Sequence, residues 1–144
     1  MDLKIGDFGL AAVVNFEGDK KNTVCGTPNY LAPEVILKNN DQVEYSYEVD
    51  YWAVGVILYV LLCGRPPFES QDVAQTYKKI TVGRITFPED LELHPFAKSF
   101  IQECLTVDPR QRMNLSEMLK HNFLTASALP NHLPVSTLVC PPSD

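Results

Sequence analysis

The chain has 144 residues, 45% of them hydrophobic and 21% charged, with a net charge of −6. That length and mix suit one globular domain with a sizeable core. The acidic balance argues against nucleic acid or an anionic membrane as a partner and leaves peptide and small-molecule substrates open.

In chain order, Leu3-Lys4-Ile5 alternates and ends in Gly6, which predicts a short strand running into a turn. The start, Met1-Asp2-Leu3-Lys4, has no basic region followed by an apolar stretch, so no secretory leader is expected. Gly18-Asp19-Lys20-Lys21-Asn22 reads as an exposed polar tip. Gly26, Pro28 and Pro33 make residues 25–34 an ordered loop, because each proline removes an N–H and disfavours helix before it. Pro33 then opens a short helix through about Leu37, ended by Asn39-Asn40-Asp41.

Glu48-Val49-Asp50 begins the main helix, with Asp50 placed to cap or complement its N-terminus. This helix runs to about Cys63, where Gly64-Arg65-Pro66-Pro67-Phe68 stops it. It is apolar all round, so it is expected to be buried on all sides. The run from Tyr51 to Cys63 is too short to cross a bilayer, which takes about 20 residues.

Residues 71–81 read as a helix, with Val73, Tyr77 and Ile80 at helical spacing. Pro95 to Leu105 follows, with Phe96, Phe100, Ile101, Cys104 and Leu105 on one face, and Asp108-Pro109 breaks the chain. Ser116 to Asn122 is the last predicted helix, with Met118 and Leu119 inward. From Ala128 the chain is Pro-rich and without periodicity, which reads as a linker or docking tail. The fold class expected is mainly α with little β. The cysteines at 25, 63, 104 and 140 show no C-x-x-C spacing, so reduced thiols inside a cell are expected rather than a zinc ribbon or disulfides.

Asp7-Phe8-Gly9 and Ala32-Pro33-Glu34 bracket a segment holding Thr23 and Gly26-Thr27-Pro28-Asn29-Tyr30. Asp50-Tyr51-Trp52 heads the apolar helix, and Asp108-Pro109-Arg110-Gln111-Arg112 follows downstream. A lone Asp-Phe-Gly is weak evidence and reads equally as a turn after a strand. The ordered set is specific. It resembles the activation segment and C-terminal lobe of a eukaryotic protein kinase. Lys20 to Glu34, Leu61 to Glu69 and Leu133-Pro134-Val135-Ser136 are similar to the polo-like branch, so the resemblance covers essentially the whole chain. It implies residues 1–124 as a partial protein kinase domain and 125–144 as a Pro-rich tail.

The resemblance assigns roles residue by residue. Asp7 matches the carboxylate that holds Mg²⁺ between the phosphates of ATP, Phe8 the aromatic whose packing sets active or inactive forms, and Gly9 the residue that frees the turn. Thr23 matches the activating phosphorylation site, where a phosphate of about −2 charge recruits arginines. The plain alternative is a solvated loop threonine. Lys21 suits a basophilic upstream kinase, although Lys20 and Lys21 also read as a solvated charge pair. Thr27 matches the threonine facing the catalytic groups, and Thr27, Pro28 and Tyr30 would shape the pocket beside the acceptor. Glu34 matches the acid that pairs with a buried arginine, here Arg112. Asp50 matches the acid that braces the catalytic loop. Arg112-Met113 departs from the usual Arg-Pro, which leaves that turn less constrained.

The sequence contains no Gly-rich loop, no strand lysine with its helix Glu, and no His-Arg-Asp with a downstream Asn. The general base and adenine pocket are therefore not among its residues, and no catalytic residue is assigned. The expectation is a piece of a Ser/Thr protein kinase that uses ATP and Mg²⁺ when intact. By itself the piece is expected to be inactive, binding neither tightly. Its partners would be protein substrates and an upstream kinase acting at Thr23, with no nucleic acid and no membrane span. Its location would be the cytoplasm or nucleus, with centrosome or spindle suggested by the resemblance. The competing expectation is a non-catalytic module that binds regulators or substrates through the same helices. With the flanking helices of residues 50–63 partly missing, a bare apolar face is also expected.

Overall fold

The computed structural model describes residues 4–15, 26–37 and 46–126. Six α-helices lie within them: α1 Pro33–Ile36, α2 Glu48–Cys63, α3 Val73–Val82, α4 Pro95–Cys104, α5 Leu115–Lys120 and α6 Asn122–Thr125. Short 3₁₀ turns occupy Phe8–Leu10 and Pro28–Tyr30. The described residues contain no strand. Lys4 and Ile5 belong to no helix or strand; Leu3 lies outside the described residues.

Each helix has a readable start and stop. Glu48 and Asp50 sit in the first turn of α2, where a negative charge is favoured by the exposed N–H groups. Asp50 makes no capping hydrogen bond, so it complements the helix end without capping it. Gly64 ends α2 in the left-handed conformation at φ 74°, its N–H donating to the Val60 carbonyl at 2.8 Å. Asp72 caps α3 by accepting from Ala74 N at 3.3 Å. His94 Nδ1 accepts from Phe96 N at the head of α4, with Pro95 at the first helical position. Asn114 and Glu117 form a reciprocal capping box on α5.

The core gathers on one side of α2. Trp52, Val56 and Tyr59 pack with Leu31, Ala32 and Val35 from the loop and α1, and with Phe68, Ile80, Ile101 and Leu105. The Trp52 and Phe68 rings stack with centroids 5.5 Å apart. A second cluster joins Phe100, Cys104, Met113 and Met118. Gly55 sets the distance between α2 and α4, because a Cβ there would lie 2.6 Å from the Cys104 Cβ.

Several expectations fail locally. Helix α2 is not buried on all sides: Val54, Ile57 and Leu61 are exposed, Leu61 at 75%. The described helices cover only the opposite face, so the apolar pattern outruns what packs against it. The stripe agrees with the expected bare face. Val73 and Leu119 also point to solvent, and Thr76 takes the inward position on α3 beside Ile80. The single helix expected over 116–122 is two short ones, because His121 is extended (ψ 142°) and its Nδ1 caps α6 by accepting from Phe123 N. The Pro-rich tail lies outside the described residues.

Candidate functional site

Arg112 is the hub that joins residues 26–37 to residues 46–126. Its side chain is fully buried, and its guanidinium lies 5.2 Å from the Trp52 ring centre. Nη1 and Nη2 each donate at 2.8 Å to one carboxylate oxygen of Glu34, a bidentate pair. The remaining donors reach backbone carbonyls: Nη1 to Glu48 at 2.6 Å, Nε to Thr106 at 3.0 Å and Nη2 to Val107 at 3.4 Å. One buried cation thus ties α1, the head of α2 and the chain after α4 together. The carbonyl partners were not legible in the sequence, since backbone oxygens leave no side-chain signal.

The turn before Arg112 is set locally. Asp108 Oδ1 accepts from Arg110 N at 3.0 Å, and its carboxylate also takes both Nε and Nη2 of Arg110 at 3.1 Å. Those bonds hold the Asp108 carboxyl below its ordinary pKa. Met113 is buried against Phe100 and Met118, and its N–H donates to the Glu103 carbonyl at 3.2 Å. An N–H donor there is what a proline would have removed.

The Glu34 anchor fixes the loop ahead of it. Pro28–Tyr30 turns tightly, with Tyr30 N donating to the Thr27 carbonyl at 2.9 Å. Leu31, Ala32 and Val35 are sunk in the core, which leaves Thr27 and Tyr30 facing outward. Thr27, Tyr30 and Asp50 share a hollow of about 220 Å³ with Leu10, Val35 and Ala53. Asp50 also borders a hollow of about 470 Å³ with Leu10, Ala11, Val14 and Tyr47. Solvent reaches its carboxylate, but crowding by protein on one side raises its pKa. Pro28 lies beside these hollows without lining them.

Asp7 lines neither hollow, although Leu10 of the turn that follows it lines both. Its φ of 59° makes it the one non-glycine residue with positive φ among those described. Asp tolerates this left-handed conformation better than most residues, yet it remains a cost that calls for a compensating role. Gly9 does not take a positive φ, so the left-handed conformation falls two residues earlier, at Asp7. Phe8 is 69% exposed and packs into neither core cluster. Mg²⁺ takes six oxygens, commonly one or two carboxylates plus phosphates and water. Asp7 fits as one such ligand, but no group of three His, Cys, Asp or Glu among the described residues could hold a metal ion. Thr23 and its flanking lysines lie outside the described residues.

Comparison with known proteins gives the chain's family. The family model for the protein kinase domain matches residues 1–124. A Zea mays protein named "Probable serine/threonine-protein kinase CCRP1" is 54% identical over 144 residues, covering 99% of this chain and 22% of its own length. Serine/threonine-protein kinase PLK1 of Xenopus laevis is 42% identical over 142 residues, 99% of this chain and 23% of its own length. The cell cycle serine/threonine-protein kinase CDC5/MSD2 of Saccharomyces cerevisiae is 42% identical over 130 residues, covering 90% of this chain and 18% of its own length. The chain spans about a fifth of the length of the curated relatives it matches.

Proposed function

The chain belongs to the protein kinase family, in its polo-like branch, and on that premise we propose that it is the activation segment and substrate-side lobe of an enzyme transferring the γ-phosphoryl group of ATP to protein serine or threonine. The observation that carries the reading is the buried Glu34–Arg112 pair. It pins the end of the segment to the head of α2, so that Thr27, Tyr30 and Asp50 border one hollow open to solvent. Phosphoryl transfer needs little covalent help from the protein and depends on holding the acceptor hydroxyl in line with the phosphate. A rigid ledge beside the acceptor is therefore a catalytic contribution in its own right. ATP and Mg²⁺ would be bound by the intact enzyme, with Asp7 as one oxygen ligand.

Thr23 serves in this reading as a switch. Phosphate there would be added by an upstream kinase and would order the segment through nearby cations. The protein works on protein substrates inside the cell, in cytoplasm or nucleus. Among the described residues no helix is long and apolar enough to cross a membrane.

The test is a fusion that places the part of the maize relative preceding the matched region ahead of residue 1. Radiolabel transfer to casein is expected, with Thr23→Ala and Thr27→Val each lowering kcat/KM by at least about tenfold, the usual scale of a lost positioning contact. A fusion whose activity ignores both substitutions overturns the assigned roles.

A further inference from the structure

Away from Thr27 and Asp50, a hollow of about 640 Å³ opens between the second half of α3 and the chain that follows it. Lys78, Lys79, Val82, Arg84 and Thr86 line it, with Pro67 from the turn after α2. No carboxylate is among its lining residues. Three of the 12 Lys and Arg residues of a chain with net charge −6 thus meet at one concavity.

The walls are fixed. Lys79 Nζ donates to the Glu69 carbonyl at 2.8 Å. The Tyr59 hydroxyl donates to the Thr86 carbonyl at 2.7 Å, and the neighbouring Phe87 ring lies 5.7 Å from the Tyr59 ring. By contrast, the Lys78 and Arg84 side chains have no hydrogen-bond or ion-pair partner among the described residues. Val82, between them in sequence, is 64% exposed. Two free cations beside an exposed apolar side chain, on a rigid wall, suit a ligand with the opposite charge and an apolar residue of its own.

We infer that this hollow, which neither Thr27 nor Asp50 lines, docks an acidic peptide segment of a protein substrate apart from the residue being phosphorylated. The inference rests on the kinase reading for the identity of the partner as a substrate, and on charge and shape for the site. Docking of this kind raises the local concentration of the acceptor, so it lowers KM and leaves kcat unchanged.

The probe is a fluorescein-labelled decapeptide of alternating aspartate and leucine, measured by anisotropy on the maize fusion at low salt. A peptide with asparagine for aspartate is the neutral reference. Binding of the acidic peptide alone is expected, about tenfold weaker in the double variant Lys78→Glu/Arg84→Glu and unchanged in Lys120→Glu, an exposed cation elsewhere. Affinity should fall as salt rises. In transfer assays, casein carrying the acidic peptide as a tail should show a lower KM than casein with the neutral tail, and the double variant should abolish the difference. The inference is overturned if the neutral peptide binds equally, if the double variant keeps full affinity, or if inorganic phosphate at millimolar concentration displaces the peptide, which would mark a general anion site. Anisotropy does not depend on turnover, so a fusion that is folded and phosphorylated at Thr23, binds the peptide and is inactive refutes the kinase reading and leaves the site standing.

Discussion

Replacing Arg112 by Met removes the cation and keeps much of the side-chain volume. The structure sets the size of the effect. The Arg112 side chain is fully buried and that of Glu34 only 12% exposed, so the variant leaves a nearly buried carboxylate without its bidentate partner. The carbonyls of Glu48, Thr106 and Val107 lose their donor as well. Breaking a buried pair from one side costs about 3–5 kcal/mol, a large part of the 5–15 kcal/mol or so that holds a domain together. Trp52 is the single tryptophan and is fully buried against Arg112, so its fluorescence reports unfolding directly. Urea titrations of the maize fusion followed by Trp52 emission, read against the same fusion lacking Trp52, should show the transition moving to lower denaturant by that amount. The double variant Arg112→Met/Glu34→Leu should cost less than the two single changes added together, because no charge is then stranded. Arg112→Lys should recover little, since an ammonium cannot hold both carboxylate oxygens and the carbonyls at once. A loss below about 1 kcal/mol for Arg112→Met, a scale expected of a surface pair, would refute the claim that this contact anchors the segment.

Other parts of the fold give further expected outcomes. Gly55→Ala should cost about 1–3 kcal/mol by forcing α2 away from Cys104, seen as a lowered melting temperature; an unchanged melt would contradict the tight approach. The 144-residue chain should self-associate through Val54, Ile57 and Leu61, and Ile57→Glu/Leu61→Lys should raise the monomer fraction in light scattering. A monodisperse wild-type chain at tens of micromolar or so sinks that idea. Burial pushes the Cys104 thiol up to about 12, so iodoacetamide at about pH 8 should label it only after denaturation. The same shift favours the neutral thiol in the folded state. Its stabilisation is therefore complete below the ordinary thiol range near 9 and is lost as pH rises towards 12, by roughly 1 kcal/mol per pH unit.

Much of the fold was legible because its signals are local. Pro33, Pro95 and Gly64 mark helix ends by the bonds they make or cannot make, and those ends fall within a residue or two of expectation. The inward face of α4 followed from spacing. What failed depended on neighbours. Leu119 and Val73 carry apolar side chains at plausible positions, but no described element covers them. His121 broke the last helix because its ring serves better as a cap, which periodicity cannot foresee. At the site, Glu34 and Arg112 were paired through family resemblance across a separation of 78 residues, a distance no local rule bridges. The hollow beside Lys78 and Arg84 left no motif at all, since it depends on how the chain after α3 folds back.

The proposal stands on one division of labour: these residues would position and regulate, and the groups that activate the acceptor would come from other parts of the intact kinase. The most direct measurement compares radiolabel transfer from ATP to casein by the 144-residue chain and by the maize fusion, at equal concentration with Mg²⁺. The account predicts transfer by the fusion and none above background by the chain. Transfer by the chain itself, or a silent fusion that is folded and phosphorylated at Thr23, would contradict it.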